Sequence, residues 1–124
     1  MSAAEPPLVL VAEDDPDILE LIVACLESIG CDVVRALDGR SALRLAGAER
    51  PKLAVLDVRM PHLDGLRVTR LLKADPATSS IAVLVMTASV DGTQSEQARA
   101  AGADGYLAKP FTVAQLREAA RGLL

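Results

Sequence analysis

Aromatic side chains are nearly absent from this sequence, which has one Phe, one Tyr and no Trp. Its core must therefore be assembled from Leu, Val, Ile and Ala, and no aromatic platform exists on which nucleotide bases would stack. Basic runs are missing as well. Lys and Arg occur scattered and the formal net charge is −4, whereas nucleic-acid-binding domains carry a basic patch, so no direct nucleic-acid binding is expected. Cysteine is limited to Cys25 and Cys31. Their spacing matches no metal or redox motif, and both read as small buried hydrophobes rather than a disulfide. No apolar stretch approaches the roughly 18 residues of a spanning helix. Met1 to Pro7 lacks the basic segment followed by an apolar one that a secretory signal needs. These absences lead to the expectation of a cytoplasmic protein with no membrane segment.

What is present suits one domain. The chain has 124 residues, 51% of them hydrophobic, enough for a real core and too few for two ordinary domains. Short apolar runs alternate with segments of helical period. Leu8 to Ala12 reads as a strand buried on both faces. It stops at Glu13-Asp14-Asp15-Pro16, where Asp15 is an N-cap and Pro16 the first helical residue, and Ile18, Ile22, Leu26 and Ile29 recur at helical spacing up to Gly30. A second strand covers Asp32 to Ala36, and Asp38-Gly39 opens a helix to about Ala48. Lys52 to Asp57 is a third strand, followed after the Asp64-Gly65 turn by a helix ending near Asp75-Pro76. Ile81 to Met86 is a fourth strand. Thr93 and Glu96 have capping-box spacing for the next helix, which Gly102 closes. Tyr106 to Ala108 is a short fifth strand, and Thr112 with Gln115 offers a capping box for the last helix. Five β–α repeats of this kind predict an α/β fold, a parallel sheet with helices on both faces. No internal boundary divides residues 1–124, and the ordered core is expected over about 7–122. A linker or further domain beyond Leu124 stays open.

In open parallel sheets, ligands bind beyond the carboxyl ends of the strands. The first strand ends in Glu13 and Asp14, the third in Asp57 and the fourth in Thr87, and the fifth is followed by Lys109-Pro110. Each of these charges abuts an apolar run, where it is costly unless compensated. If the first and third strands are neighbours, three carboxylates converge, repel one another and raise one another's pKa. A divalent cation resolves this, and an all-oxygen site with room for water suits Mg²⁺. Magnesium in turn binds phosphate oxygens. With Lys109 as a second positive charge and the Thr87 hydroxyl as a hydrogen-bond donor, Asp57 can act as a nucleophile towards phosphorus. No Gly-rich phosphate loop or Walker motif is present, so a nucleotide is not the obvious substrate.

Four stretches carry a resemblance: Val9 to Asp15, Leu56 to Gly65, Val85-Met86-Thr87-Ala88, and Ala101 to Phe111. All four in order, each at a predicted strand end, make the chain similar to the receiver domain of bacterial two-component response regulators over essentially its whole length. The resemblance implies a doubly wound, flavodoxin-like sheet in the order 2-1-3-4-5. It also implies that Asp57 is the phosphoacceptor, that Asp14 holds Mg²⁺ directly and Glu13 through water, and that the Arg59 carbonyl is a further ligand. Thr87 and Lys109 would contact the phosphoryl group. Movement of Thr87 would let the Tyr106 ring turn inward and alter the surface of helix four, strand five and helix five. The Lys109–Pro110 bond would be cis. Arg59 and Ser89, each two residues after a site residue, would border the phosphoryl group and modulate its loss. A histidine kinase or phosphotransfer protein would be the donor and an output domain or partner protein the reader, with a homodimer formed on phosphorylation as a further option. Such a domain assists its own phosphorylation but acts as a switch rather than an enzyme.

Two other readings compete. A Mg²⁺-dependent phosphohydrolase of the haloacid-dehalogenase kind also forms an aspartyl phosphate, but usually carries a second Asp two residues after the nucleophile, where this chain has Arg59. A pseudo-receiver, acting only as an interaction domain, is opposed by the intact set of Glu13, Asp14, Asp57, Thr87 and Lys109. His62, the only His, reads as an exposed loop residue rather than a base or phosphorylation site.

Overall fold

A computed structural model describes residues 5–88 and 92–124. Ser89 lies outside the described residues. Five strands, β1 (Leu8–Ala12), β2 (Asp32–Ala36), β3 (Leu53–Asp57), β4 (Ala82–Thr87) and β5 (Gly105–Ala108), alternate with five helices. These are α1 (Pro16–Glu27), α2 (Gly39–Glu49), α3 (Gly65–Ala74), α4 (Thr93–Ala101) and α5 (Val113–Leu123). All strand pairs are parallel and their order is β2-β1-β3-β4-β5. The expected doubly wound sheet is what forms, with each strand within a residue or so of its sequence-derived bounds.

The three central strands are buried nearly throughout, which is why they are apolar runs rather than alternating patterns. One layer is built by α1 and α5 against Val9, Val11, Leu53, Val55, Leu84 and Met86. The other is built on Leu10, Ala54, Leu56, Val83 and Val85, with Ala42 and Ala46 of α2, Val68 and Leu72 of α3 and Ala98 of α4. Successive strand residues thus feed opposite layers, as the two-residue period requires. Cys25 and Cys31 are free and buried in the first layer, matching their reading as small hydrophobes.

Helix starts follow the predicted capping chemistry at α1 and α5, and α2 and α3 open at the expected Asp38-Gly39 and Asp64-Gly65 pairs. Asp15 Oδ1 accepts from the N–H groups of Asp17 and Ile18 at 2.9 and 3.3 Å, and Pro16 begins α1. Asp38 caps α2 and Asp64 caps α3. Thr112 and Gln115 make the full capping box of α5. At α4 the expected box of Thr93 and Glu96 does not form. Gly92, at φ 80°, is the N-cap and Thr93 is already the first helical residue. The Glu96 N–H bonds to the Gly92 carbonyl, one residue out of register with the box. Among the described residues no helix is long and apolar enough to cross a membrane.

Candidate functional site at the carboxyl edge of the sheet

Register assembles the site. Ala12 aligns with Leu56 on β3, so the residues that follow, Glu13 and Asp57, emerge side by side. Asp57 is paired with Met86, and Thr87 with Ala108. The Lys109 N–H donates to the Thr87 carbonyl at 2.7 Å, anchoring the residue after β5 to the end of β4. The Lys109–Pro110 bond is cis, as the resemblance implied.

The side chains converge accordingly. Carboxylate oxygens of Glu13, Asp14 and Asp57 all lie within 4.8 Å of one another. Lys109 Nζ stands 3.3 Å from Glu13 Oε1 and 3.3 Å from Asp57 Oδ2, bridging the two. Glu13 is 1% exposed and Asp57 6%, while Asp14 is open to solvent. Burial first, then a hydrogen bond with Asp57 and repulsion from its charge, push the Glu13 carboxyl up to about 8, against the opposing pull of Lys109. Removing water from a carboxylate beside a second one disfavours its charged form.

Two polar atoms in this site are buried without a partner, Glu13 Oε2 and Thr87 Oγ1. Such atoms are uncommon in a folded core and each one costs free energy. The donor set is three carboxylates, all hard oxygen ligands, and one of those oxygens is unsatisfied. It fits a hard divalent cation.

Each residue singled out from sequence, with the exception of Ser89, is placed by the structure. Arg59 is exposed and lines an open cleft with Asp14, Met60, Pro61 and Gln94. Tyr106 is 43% exposed. Its hydroxyl accepts from Arg99 Nη2 at 3.2 Å, and the guanidinium carbon is 5.6 Å from the ring centroid. His62 is an exposed loop residue at φ 69°.

Two contributors, Gln94 and Arg99, were not read from the sequence, and a third, Gly65 of the Asp64-Gly65 pair, was legible only as part of a turn that shapes the site. A Cβ on Gly65 would stand 2.2 Å from the Asp57 carbonyl oxygen, so only glycine lets α3 start against the end of β3. Gln94 Oε1 accepts from the Ala88 N–H at 2.7 Å, tying the segment after Thr87 to α4. Arg99 holds Tyr106 outward, and no spacing rule links these two residues.

Comparison with known proteins agrees with this geometry. The family model for the response regulator receiver domain matches residues 9–121. The chain is 39% identical to the DNA-binding dual master transcriptional regulator RpaA of Synechocystis, over 95% of this chain and 49% of that protein. It thus spans about half the length of such relatives. It is also 32% identical to the polar-differentiation response regulator DivK of Brucella anthropi, over 96% of this chain and 97% of that one. Among solved structures it resembles the chemotaxis response regulator CheY4 of Vibrio cholerae, with a TM-score of 0.89 and 27% identity over 96% of this chain and 99% of that chain. It further resembles the receiver domain of a sensor histidine kinase from Pseudomonas aeruginosa, solved with magnesium coordinated in its active-site cleft (TM-score 0.87, 32% identity, 95% and 97% coverage). Motifs, topology and family match converge: the chain belongs to the receiver-domain family of two-component response regulators.

Proposed function

We propose that Asp57 is the phosphoacceptor of this receiver domain and that residues 1–124 form one such domain, its core spanning about 7–122. The observation that carries this reading is Lys109 bridging Glu13 and Asp57 at 3.3 Å within a three-carboxylate cluster. Glu13, Asp14 and Asp57, with the Arg59 carbonyl, hold Mg²⁺, and the ion supplies positive charge to phosphate oxygens when bound.

An Asp57 oxygen attacks phosphorus and forms the acyl phosphate. The bond from phosphorus to the donor's nitrogen or oxygen breaks, and the leaving group keeps the electron pair and takes up a proton. Lys109, already charged and already beside Asp57, then has a phosphoryl oxygen to pair with in place of the bare carboxylate. The Thr87 hydroxyl, which has no partner beforehand, donates to the same group. That movement vacates space for Tyr106 to turn inward, away from Arg99, and changes the α4–β5–α5 face. Arg59 and Ser89 border the phosphoryl group and set how fast water removes it.

The donor is a histidine kinase or phosphotransfer protein, and the changed face is read by an output domain or partner protein, or by a second phosphorylated copy. The domain works in the cytoplasm as a switch and turns over no external substrate. Incubation with acetyl phosphate and Mg²⁺ followed by intact-mass measurement tests the chemistry. The chain gains one phosphoryl group, and the gain is absent in Asp57→Asn and in EDTA. An unchanged mass with every small-molecule donor and kinase tried would leave only a phosphorylation-independent interaction domain.

A further inference from the structure

Basic residues form no runs in this sequence, yet charge is divided by position. Residues 1–34 contain eight Asp and Glu and no Lys or Arg, whereas residues 35–73 contain nine Lys and Arg against four Asp and Glu. The fold puts the acids of α1 on one layer and Arg40, Arg44, Arg67 and Arg70 on the other, because α1 packs in one core cluster and α2 and α3 in the other. On α1 the exposed residues include Asp17, Ala24 and Glu27, surrounding Leu21, together with Glu20, which Arg35 of β2 already pairs at 2.6 Å. Leu21 is 62% exposed, the most exposed large hydrophobic residue of the described chain.

The opposite layer is complementary in both charge and shape. Arg40 and Arg44 on α2 and Arg67 and Arg70 on α3 are exposed. Among the described residues none of the four pairs with a carboxylate. Between these two helices runs a groove of about 380 Å³ with Leu43, Gly47, Leu71 and Ala74 along it and Asp75 and Thr78 at the end where α3 stops, and Leu71 is 37% exposed. Gly47 leaves open space where a side chain would stand.

From this geometry we propose that the α2–α3 groove docks the α1 face of a second copy of this chain, with Leu21 entering between Gly47 and Leu71. The carboxylates flanking Leu21 then meet the arginines flanking the groove, and none of this needs phosphorylation. A nucleic acid would satisfy the arginines but leave the apolar strip uncovered, and it would meet the repulsion of a net negative chain. The two contacting surfaces differ, so the contact is head-to-tail and repeats rather than closing on a dyad. Its exposed charges make it sensitive to salt.

Sedimentation velocity of the 124-residue chain, without phosphodonor, tests this. The weight-average sedimentation coefficient rises with protein concentration, and the rise shrinks as salt is added. Arg67→Glu with Arg70→Glu stays monomeric, as does Asp17→Lys with Glu27→Lys, and an equimolar mixture of the two double variants associates again. Leu21→Ser weakens association without changing charge. All five positions are exposed, and circular dichroism checks that each variant is folded. A wild-type chain that remains monomeric at every concentration overturns the proposal. So does association that survives the arginine reversals, or a mixture that stays monomeric. Retention of a separate acidic helical peptide or of duplex DNA by the arginines of a monomeric wild type assigns the groove elsewhere and overturns it equally.

Discussion

At the scale of single residues, the site is assembled from groups that the folded chain leaves unsatisfied. Thr87 makes the point most directly. It is fully buried at the end of β4, and its hydroxyl has no hydrogen-bond partner. A buried unsatisfied hydroxyl costs roughly 1–3 kcal/mol, so a residue of the same branched shape without the oxygen should be tolerated. Thr87→Val is therefore expected to leave stability unchanged or raise it by about 1 kcal/mol. The same change removes the hydroxyl proposed as the donor to the phosphoryl group. Tyr106 is the only Tyr and there is no Trp, so tyrosine fluorescence reports on that ring alone. Wild type should show a change in Tyr106 emission on phosphorylation, and Thr87→Val should be phosphorylated without showing it. A variant that loses stability in urea yet keeps the full fluorescence response would refute the role assigned to the hydroxyl.

At the scale of elements, the edge opposite the site has its own tie. Lys73, near the end of α3, donates to the Ile81 carbonyl at 2.7 Å and to Asp104 Oδ2 at 2.8 Å. The same Asp104 oxygen accepts from the Val83 N–H at 2.8 Å. One carboxylate thus joins α3, the start of β4 and the turn into β5. Burial raises the Asp104 pKa, but Lys73 and the Val83 N–H together outweigh it and hold the carboxyl below its usual range. A carboxylate with a depressed folded pKa stabilises the fold above its unfolded value and loses that contribution as pH falls through the folded value. Asp104→Ala is expected to cost about 1–2 kcal/mol at pH 7, chiefly from the unpaired Val83 N–H, since Lys73 keeps the Ile81 carbonyl. Urea melts of both proteins should converge as the pH falls below the ordinary Asp range and through the depressed folded value, where the wild-type carboxyl also protonates. A gap that stays constant with pH would show that the charge contributes nothing.

Elements were also where the sequence was most and least legible. Strands β1, β3 and β4 were readable because burial on both faces makes them continuous apolar runs. Helices α1 and α5 announced their starts through Asp15-Pro16 and the Thr112–Gln115 box. The start of α4 was misread because Thr93 and Glu96 have the right spacing, while the backbone before them turns at Gly92 and shifts the helix by one residue. Spacing alone cannot report that shift. Within the site, Glu13, Asp57 and Lys109 were legible as charges stranded against apolar runs. Arg99 was not, and Gly65 was legible only as part of a site-shaping turn, because a ring contact and a close backbone approach are created only by the folded chain.

At the scale of the whole molecule, the same cluster bears on stability and on chemistry. Glu13, Asp14 and Asp57 converge at one end of the sheet, and Lys109 alone sets one positive charge against them among the side chains bridging the buried pair. Bringing carboxylates together is unfavourable in the fold and absent in the unfolded chain, where they are far apart. A cation that binds the folded cluster and not the unfolded chain must therefore stabilise the protein by mass action. At a free concentration one hundred times its dissociation constant, the gain is about 2.7 kcal/mol. For a domain between the size classes for which such shifts are known, this raises Tm by several degrees. The expected result is a rise in Tm on adding MgCl₂ that NaCl of equal ionic strength does not reproduce, since general screening acts on every surface charge alike. Asp14 is the variant of choice because it is exposed, so Asp14→Asn alters the donor set without opening a cavity. In Asp14→Asn the Mg²⁺-specific rise should be lost or much reduced while the NaCl response is retained. If the full rise persists in Asp14→Asn, the ion is held elsewhere, and the carboxylate cluster would have to be explained without a metal.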